Sequence, residues 1–300
     1  MMPEPETQHR VAGDALDALC THLETFLDDI VVGTEGAPPR LMAAAGYALR
    51  GPSKRIRPLM LHLVAAGTTP HMDALRAAAA VELVHTASLI LDDLPCMDDA
   101  EMRRTRPATH RAYGEATAIL TAIALLNRAF GLLAESEGPA ASRLRLIAIL
   151  ERAVGWHGLV AGQELDIAGT AADREGLENV NWLKTGTLFV AAVTMGGVVR
   201  GVSPADEARL EEFARELGLA FQLADDLMDR LGAAHDLGKD VRQDQNKTNV
   251  VSLLGIEETR AACLGHLARA DAALVASGID PGEIRAAIAR SMKLPQLGGQ

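Results

Sequence analysis

In DALDALCTHLETFLDDI (residues 14–30), Leu16, Leu19, Leu23, Phe26, Leu27 and Ile30 recur at spacings of three and four. That recurrence draws one apolar stripe along an amphipathic helix. Outward from it the same rhythm runs through alanine-rich stretches around 74–91, 116–134 and 260–276. No run alternates apolar and polar residues as a half-buried strand does. Ser203-Pro204 and Asp280-Pro281 each place a capping residue before a proline at the first helical position, and Glu283 completes a possible capping box. Residues 32–39, 100–111, 169–176 and 231–248 read as loops. With aromatic residues at only 3%, the core must be built from alanine, leucine, valine and isoleucine, which lets helices approach closely. The expectation is an all-α bundle of long helices forming one domain over residues 1–300, with disordered tails at about 1–10 and 292–300.

A chain of 300 residues with 48% hydrophobic and 23% charged residues can bury a substantial core, which excludes an intrinsically disordered protein. The longest apolar stretches, Ala118 to Leu126 and Leu188 to Val199, fall short of the roughly 20 residues that span a bilayer, so no membrane span is expected. MMPEPETQHR, at the start, has no apolar segment behind its charges and predicts no signal peptide. The 29 basic and 40 acidic residues give a net charge of −11, which argues against a nucleic-acid partner but leaves room for an anionic substrate. Cys20, Cys96 and Cys263 have neither CxxC spacing nor near neighbours, so a reducing, cytoplasmic location is the default.

Chemistry concentrates in two acidic clusters. Asp92-Asp93-Leu94-Pro95-Cys96-Met97-Asp98-Asp99 follows the apolar stretch 79–91, and Asp225-Asp226-Leu227-Met228-Asp229 follows the apolar stretch Leu217 to Ala224. Pro95 cannot continue a helix, so Asp98 and Asp99 belong to a turn that can fold back toward Asp92. Asp225 and Asp229 share one helix face. Charge runs at helix ends ordinarily face water. Carboxylates at a helix C-terminus oppose the macrodipole, however, and a set of aspartates without Cys or His suits a hard cation such as Mg²⁺, whose remaining positions usually carry phosphate oxygens.

The basic residues fit that idea collectively, although each alone reads as a surface charge. Lys54, Arg55 and Arg57 lie in GPSKRIRP, Arg103 and Arg104 follow the first cluster, and Lys239 and Lys247 follow the second. Lys184 stands alone in apolar NWLKTGTLFVAA, where Gly186 permits a local break that would aim Lys184 and Thr185 inward. His85 is two turns before Asp92 on one face and reads equally as a packed helix histidine; Gln222, one turn before Asp225, reads equally as an ordinary polar position.

GPSKRIRP, VELVHTASLILDDLPCMDD with MRRTRP, GQELD, KTGTLF, GLAFQLADDLMD and GKDVRQDQNKT occur in this order from about Leu41 to Leu254. On these six motifs the chain resembles the trans-prenyl diphosphate synthases and is most similar to bacterial geranylgeranyl diphosphate synthases of carotenoid pathways. The resemblance implies an all-helical homodimer, each chain folded around a deep central cavity. It implies that Asp92, Asp98 and Asp225 bind Mg²⁺, about three ions per site. Arg103, Lys184, Thr185, Gln222, Lys239 and Lys247 would hold the allylic diphosphate, and Lys54, Arg57, His85 and Arg104 isopentenyl diphosphate. Pro52-Ser53 stands where the family usually has Gly-Gly, Thr105 where it has glycine, and Asn249 departs from the residue usual after Lys-x-Thr.

A terpene cyclase would share the fold and the first acidic cluster, but its second motif carries Asn/Asp, Ser and Glu, and it lacks the site at Lys54 and Arg57. A non-catalytic synthase subunit usually loses one cluster, whereas this chain keeps both. In this family a bulky aromatic one turn before the first aspartate floors the cavity early and gives the fifteen-carbon farnesyl product. Ala87 and Ser88 are small, which predicts the twenty-carbon geranylgeranyl diphosphate.

Overall fold

The apolar stripe that opens the sequence reading is buried along its length: Leu16, Leu19, Leu23, Leu27 and Ile30 face the core from α1 (Pro5–Val32). In order follow α2 (Pro39–Leu49), α3 (Ile56–Ala66), α4 (Met72–Asp92), a two-stranded hairpin of β1 (Met102–Arg103) and β2 (Arg106–Pro107), α5 (Thr109–Tyr113), α6 (Glu115–Ala134) and α7 (Ala140–Val154). Next come α8 (Leu159–Ile167), α9 (Arg174–Asn181), a π-helical turn (Trp182–Gly186), α10 (Thr187–Arg200), α11 (Pro204–His235), α12 (Ile256–Ala276) and α13 (Gly282–Met292). This computed structural model describes residues 5–33, 36–51, 53–169, 174–235, 251 and 255–292.

Helix ends follow their local chemistry. Ser203 Oγ accepts the Asp206 amide at 3.2 Å and opens α11, and Asp280 Oδ1 accepts the Gly282 amide at 3.0 Å before α13. The expected capping box at Glu283 does not form. Its carboxylate instead accepts from the Thr68 hydroxyl at 2.8 Å and ties α13 to the end of α3. Gly201, at φ 75°, closes α10 in the left-handed conformation that glycine adopts without strain.

The core is organised by α10, which is apolar on every side and therefore central. Phe189 and Val193 pack with α1, α3, α11, α12 and α13. Leu188, Ala192 and Met195 join a second cluster with α1, α4, α6 and α7. A Cβ on Gly196 would lie 2.6 Å from the Leu61 carbonyl oxygen, so the backbones of α10 and α3 touch where no side chain fits. Ala77, Ala78, Ala79 and Ala80 are all fully buried on α4, the close helix approach expected of a core poor in aromatics.

Several sequence expectations are corrected. The described helix α1 begins at Pro5 and α13 ends at the buried Met292, while residues 1–4 and 293–300 lie outside the described residues. The supposed loop at 100–111 contains the hairpin and the start of α5, α9 begins within 169–176, and α11 runs to His235 through the first part of 231–248. These segments are too short or too polar for a periodicity to declare itself. Three helices, Met72–Asp92, Glu115–Ala134 and Glu178–Arg200, are long and apolar enough by length and composition to cross a membrane. Counting uninterrupted apolar runs missed them, because isolated polar residues such as Glu82 and His85 break the runs. In Met72–Asp92 72% of the most apolar window is buried against the rest of the protein, so core packing accounts for its composition.

Candidate active site

Asp92 is the last residue of α4, and the chain turns immediately beyond it. The Asp98 amide donates to the Asp92 carbonyl at 2.9 Å and the Ala100 amide to the Asp93 carbonyl at 3.2 Å. Pro95 thus ends the helix and the loop folds back, which sets the Asp98 carboxylate beside that of Asp92. Burial raises the Asp92 pKa to about 6; Lys184 opposes the shift and Asp98 adds to it. Asp93 is turned the other way. It is only 2% exposed and takes a two-pronged interaction from Arg103, whose Nε lies 2.9 and 3.2 Å from its two oxygens. That bond raises the Arg103 pKa despite partial burial.

The facing wall is α11. Gln222, partly buried, sits one turn before the exposed Asp225, and Asp225 pairs with Lys54 Nζ at 3.0 Å. Lys54 also lies 4.9 Å from the centre of the Phe221 ring. The two ends of the predicted constellation therefore meet: a lysine assigned to one substrate touches an aspartate assigned to the metal. Lys184 and Thr185 project from the π turn, where Lys184 pairs with Asp166 of α8. The break expected from Gly186 has a physical cause, since a Cβ there would lie 2.2 Å from Trp182 Cε3, and only glycine lets that ring pack onto the turn. Arg215 also lies over the Trp182 ring, 5.1 Å from its centre.

Between these walls lies a cluster of cations. Arg57, the second residue of α3, stacks 4.6 Å from the Phe189 ring centre, and its Nε is buried without a hydrogen-bond partner. Burial lowers its pKa to about 10; Glu82 and Asp225 resist the shift and Arg104 adds to it. Arg104 is likewise lowered by burial, against Glu82. Burial first, then Arg57 and Arg104, hold the His85 pKa well below 6.5, so the ring is neutral and offers one N–H donor. Arg104 and Thr105 form the hairpin turn with φ 52° and 68°. Thr105 thus occupies a left-handed conformation at the position where the family resemblance expects glycine.

Ala87 is fully buried, and Ser88 is nearly so, with its hydroxyl donated to the His85 carbonyl at 2.9 Å. A cavity of about 30 Å³ lies behind the hairpin, bounded by Tyr47, Asp93, Arg103 and Arg104 among others. A larger one, about 670 Å³, opens on the third face of α10 toward α7 and α11, and none of the predicted site residues lines it. Lys239 and Lys247 lie outside the described residues.

Sequence reasoning assigned no role to Arg55, Glu82, Asp93 or Asp166. The signal available for Glu82 was a lone acid inside an apolar helix, one turn before His85. For Asp93 and Asp166 only the fold supplies the partners.

The donor set suits Mg²⁺. Among the described residues no three potential ligands come together into a cage. Each wall offers carboxylates alone, which is how Mg²⁺ is held when substrate phosphates and water complete its octahedron. A divalent ion would stabilise the Asp92 carboxylate against the burial that raises its pKa, and offset the Asp98 charge beside it.

The chain is 41% identical over 261 residues to a geranylgeranyl diphosphate synthase of Pantoea ananas, covering 85% of each chain. It is 40% identical over 265 residues to a farnesyl diphosphate synthase of Geobacillus stearothermophilus, covering 83% of this chain and 89% of that one. A geranyltransferase structure from Legionella pneumophila superposes with a TM-score of 0.85 at 28% identity, over 96% of this chain and 99% of the other. The polyprenyl synthetase family model matches residues 38–274, and with these carboxylates and cations facing one another, the chain belongs to that family.

Proposed function

We propose that the protein is a Mg²⁺-dependent prenyltransferase that condenses isopentenyl diphosphate with allylic diphosphates and releases pyrophosphate, with geranylgeranyl diphosphate as product. What supports this reading is the pair of carboxylate clusters, Asp92 with Asp98 at the end of α4 and Asp225 on α11, together with the cations near them, Lys54 paired with Asp225 and Arg57 with a buried, unpartnered Nε. When bound, Mg²⁺ would offset the negative charge that develops on the departing pyrophosphate. Lys184 and Arg103 would add N–H donors to the same oxygens, so that the allylic carbon–oxygen bond can break. Lys54, Arg57, Arg104 and neutral His85 would hold isopentenyl diphosphate with its double bond toward that carbon. A carbon–carbon bond then forms, and a proton leaves the isopentenyl unit for the released pyrophosphate. No side chain is needed as base. The apolar faces of α4 and α10 would keep water from the cation.

Two supports bear on product length: Ala87 and Ser88 are small, and relatives from Pantoea ananas and Pseudescherichia vulneris carry the geranylgeranyl name. The farnesyl name of the Geobacillus relative marks the alternative. The test is to incubate purified protein with isopentenyl diphosphate, each allylic starter and Mg²⁺, then size the dephosphorylated product. A twenty-carbon alcohol is expected from wild type, and a shift toward fifteen carbons from Ala87→Phe, because the ring overfills a packed channel. Mainly farnesol from wild type with isopentenyl diphosphate in excess would overturn the product assignment, and full activity in excess chelator the metal. Assembly as a homodimer belongs to the same reading, supported by the apolar stripe that α6 leaves uncovered at Ile119, Leu120 and Ile123.

A further inference from the structure

Arg55 lies between two residues assigned to isopentenyl diphosphate, yet four of its five guanidinium N–H groups are spent inside the protein. Its guanidinium donates to Glu82, to the Leu49 carbonyl, and twice to Glu24 at 2.7 and 3.1 Å. Arg55 is 5% exposed and Glu82 1%. The backbone at Arg55 is left-handed, with φ 46° immediately before α3. For a residue other than glycine that conformation costs about 1 kcal/mol or more and persists only where surrounding contacts enforce it. Here the contacts come from three helices, α1 through Glu24, α2 through Leu49 and α4 through Glu82.

We infer that Arg55 is a positioning residue for the isopentenyl diphosphate pocket, acting through Glu82. Two consequences of the geometry lead there. The clamp holds a backbone bend between Lys54, which lies over the Phe221 ring, and Arg57, which stacks on the Phe189 ring, and those two rings are 5.3 Å apart. Arg55 also satisfies the buried Glu82 carboxylate, which would otherwise take Arg57 or Arg104 as its partner. Glu82 favours the charged forms of both of those arginines, so it stands close enough to compete for them. With Arg55 in place, the buried Arg57 Nε has no hydrogen-bond partner among the described residues.

This inference rests on the function proposed above, and steady-state kinetics separates the two. Arg55→Met should raise the KM for isopentenyl diphosphate about tenfold or more, while the allylic KM and kcat stay within about threefold. Loss of one partner from a buried pair can cost the fold, so Arg55→Met/Glu82→Leu, which removes both charges, is measured alongside. In that chain Arg57 is no longer captured but the bend is no longer clamped, and the isopentenyl KM should fall between wild type and Arg55→Met. Glu24→Gln, at a half-exposed partner, should raise it about twofold without loss of fold. A purely structural role would lower thermal stability and move both KM values together. Equal changes in the two KM values, or no change in either, would overturn the inference while leaving the enzyme assignment intact. No condensation by wild type would remove the function and the inference with it.

Discussion

At the residue scale, the two aspartates that open the first acidic motif do different things. Asp92 is half-buried at the end of α4, while Asp93 is buried and bound by Arg103. Asp93→Asn keeps one acceptor oxygen but removes the charge that holds the guanidinium fork, a cost of about 1–3 kcal/mol for a charged hydrogen bond. It should raise the allylic KM more than the isopentenyl KM, the reverse of Arg55→Met, and calorimetry should show a lowered Tm. His62 carries a separate prediction. Its Nδ1 donates to the Gly67 carbonyl at 3.0 Å, and burial holds its pKa below the ordinary 6.5. A histidine depressed in the fold binds its proton more readily once unfolded, so its contribution to stability is present above pH 6.5 and is lost as pH falls toward the depressed value. The Tm of the metal-free protein should therefore fall below pH 6.5, and His62→Asn, which can keep the donor without the titration, should flatten that slope. An unchanged slope would show that His62 does not titrate there.

At the element scale, the π turn at Trp182–Gly186 places Lys184 and Thr185, and α8 presses against it. A Cβ at Gly162 would stand 2.7 Å from Leu183 Cβ and 2.9 Å from the Lys184 amide nitrogen. Gly162→Ala must therefore push the turn aside and carry the Lys184 ammonium with it. Because reacting groups displaced by about 1 Å lose on the order of a hundredfold in rate, kcat should fall by tens to a hundredfold with far-ultraviolet circular dichroism unchanged. Full kcat in that variant would mean that the turn tolerates movement. A lone lysine in an apolar run and a nearby glycine pointed to this element from the sequence. The glycine's role was legible only in part, because what it accommodates is the Trp182 ring and not a change of direction alone.

At the scale of the whole molecule, α6 is the apolar helix with the least of its surface covered, 39% of its most apolar window. Ile119, Leu120 and Ile123 lie exposed on one side of it, and Leu144 is exposed on α7. If a second copy covers that stripe, Leu120→Glu/Ile123→Lys should convert a dimer into a monomer in light scattering coupled to gel filtration, and Tm should become concentration-independent. A wild type that elutes as a monomer would refute the dimer. The all-helical architecture and the two acidic clusters were readable from residue order, because helical period, proline stops and charge spacing are local properties of the chain. The fold alone decided which aspartate of a pair is buried, that Lys54 meets Asp225 across 171 positions, and that Arg55 serves Glu82 and not a substrate. Those outcomes depend on which side chains burial forces to find partners, and a partner brought in by another helix leaves no trace in local spacing.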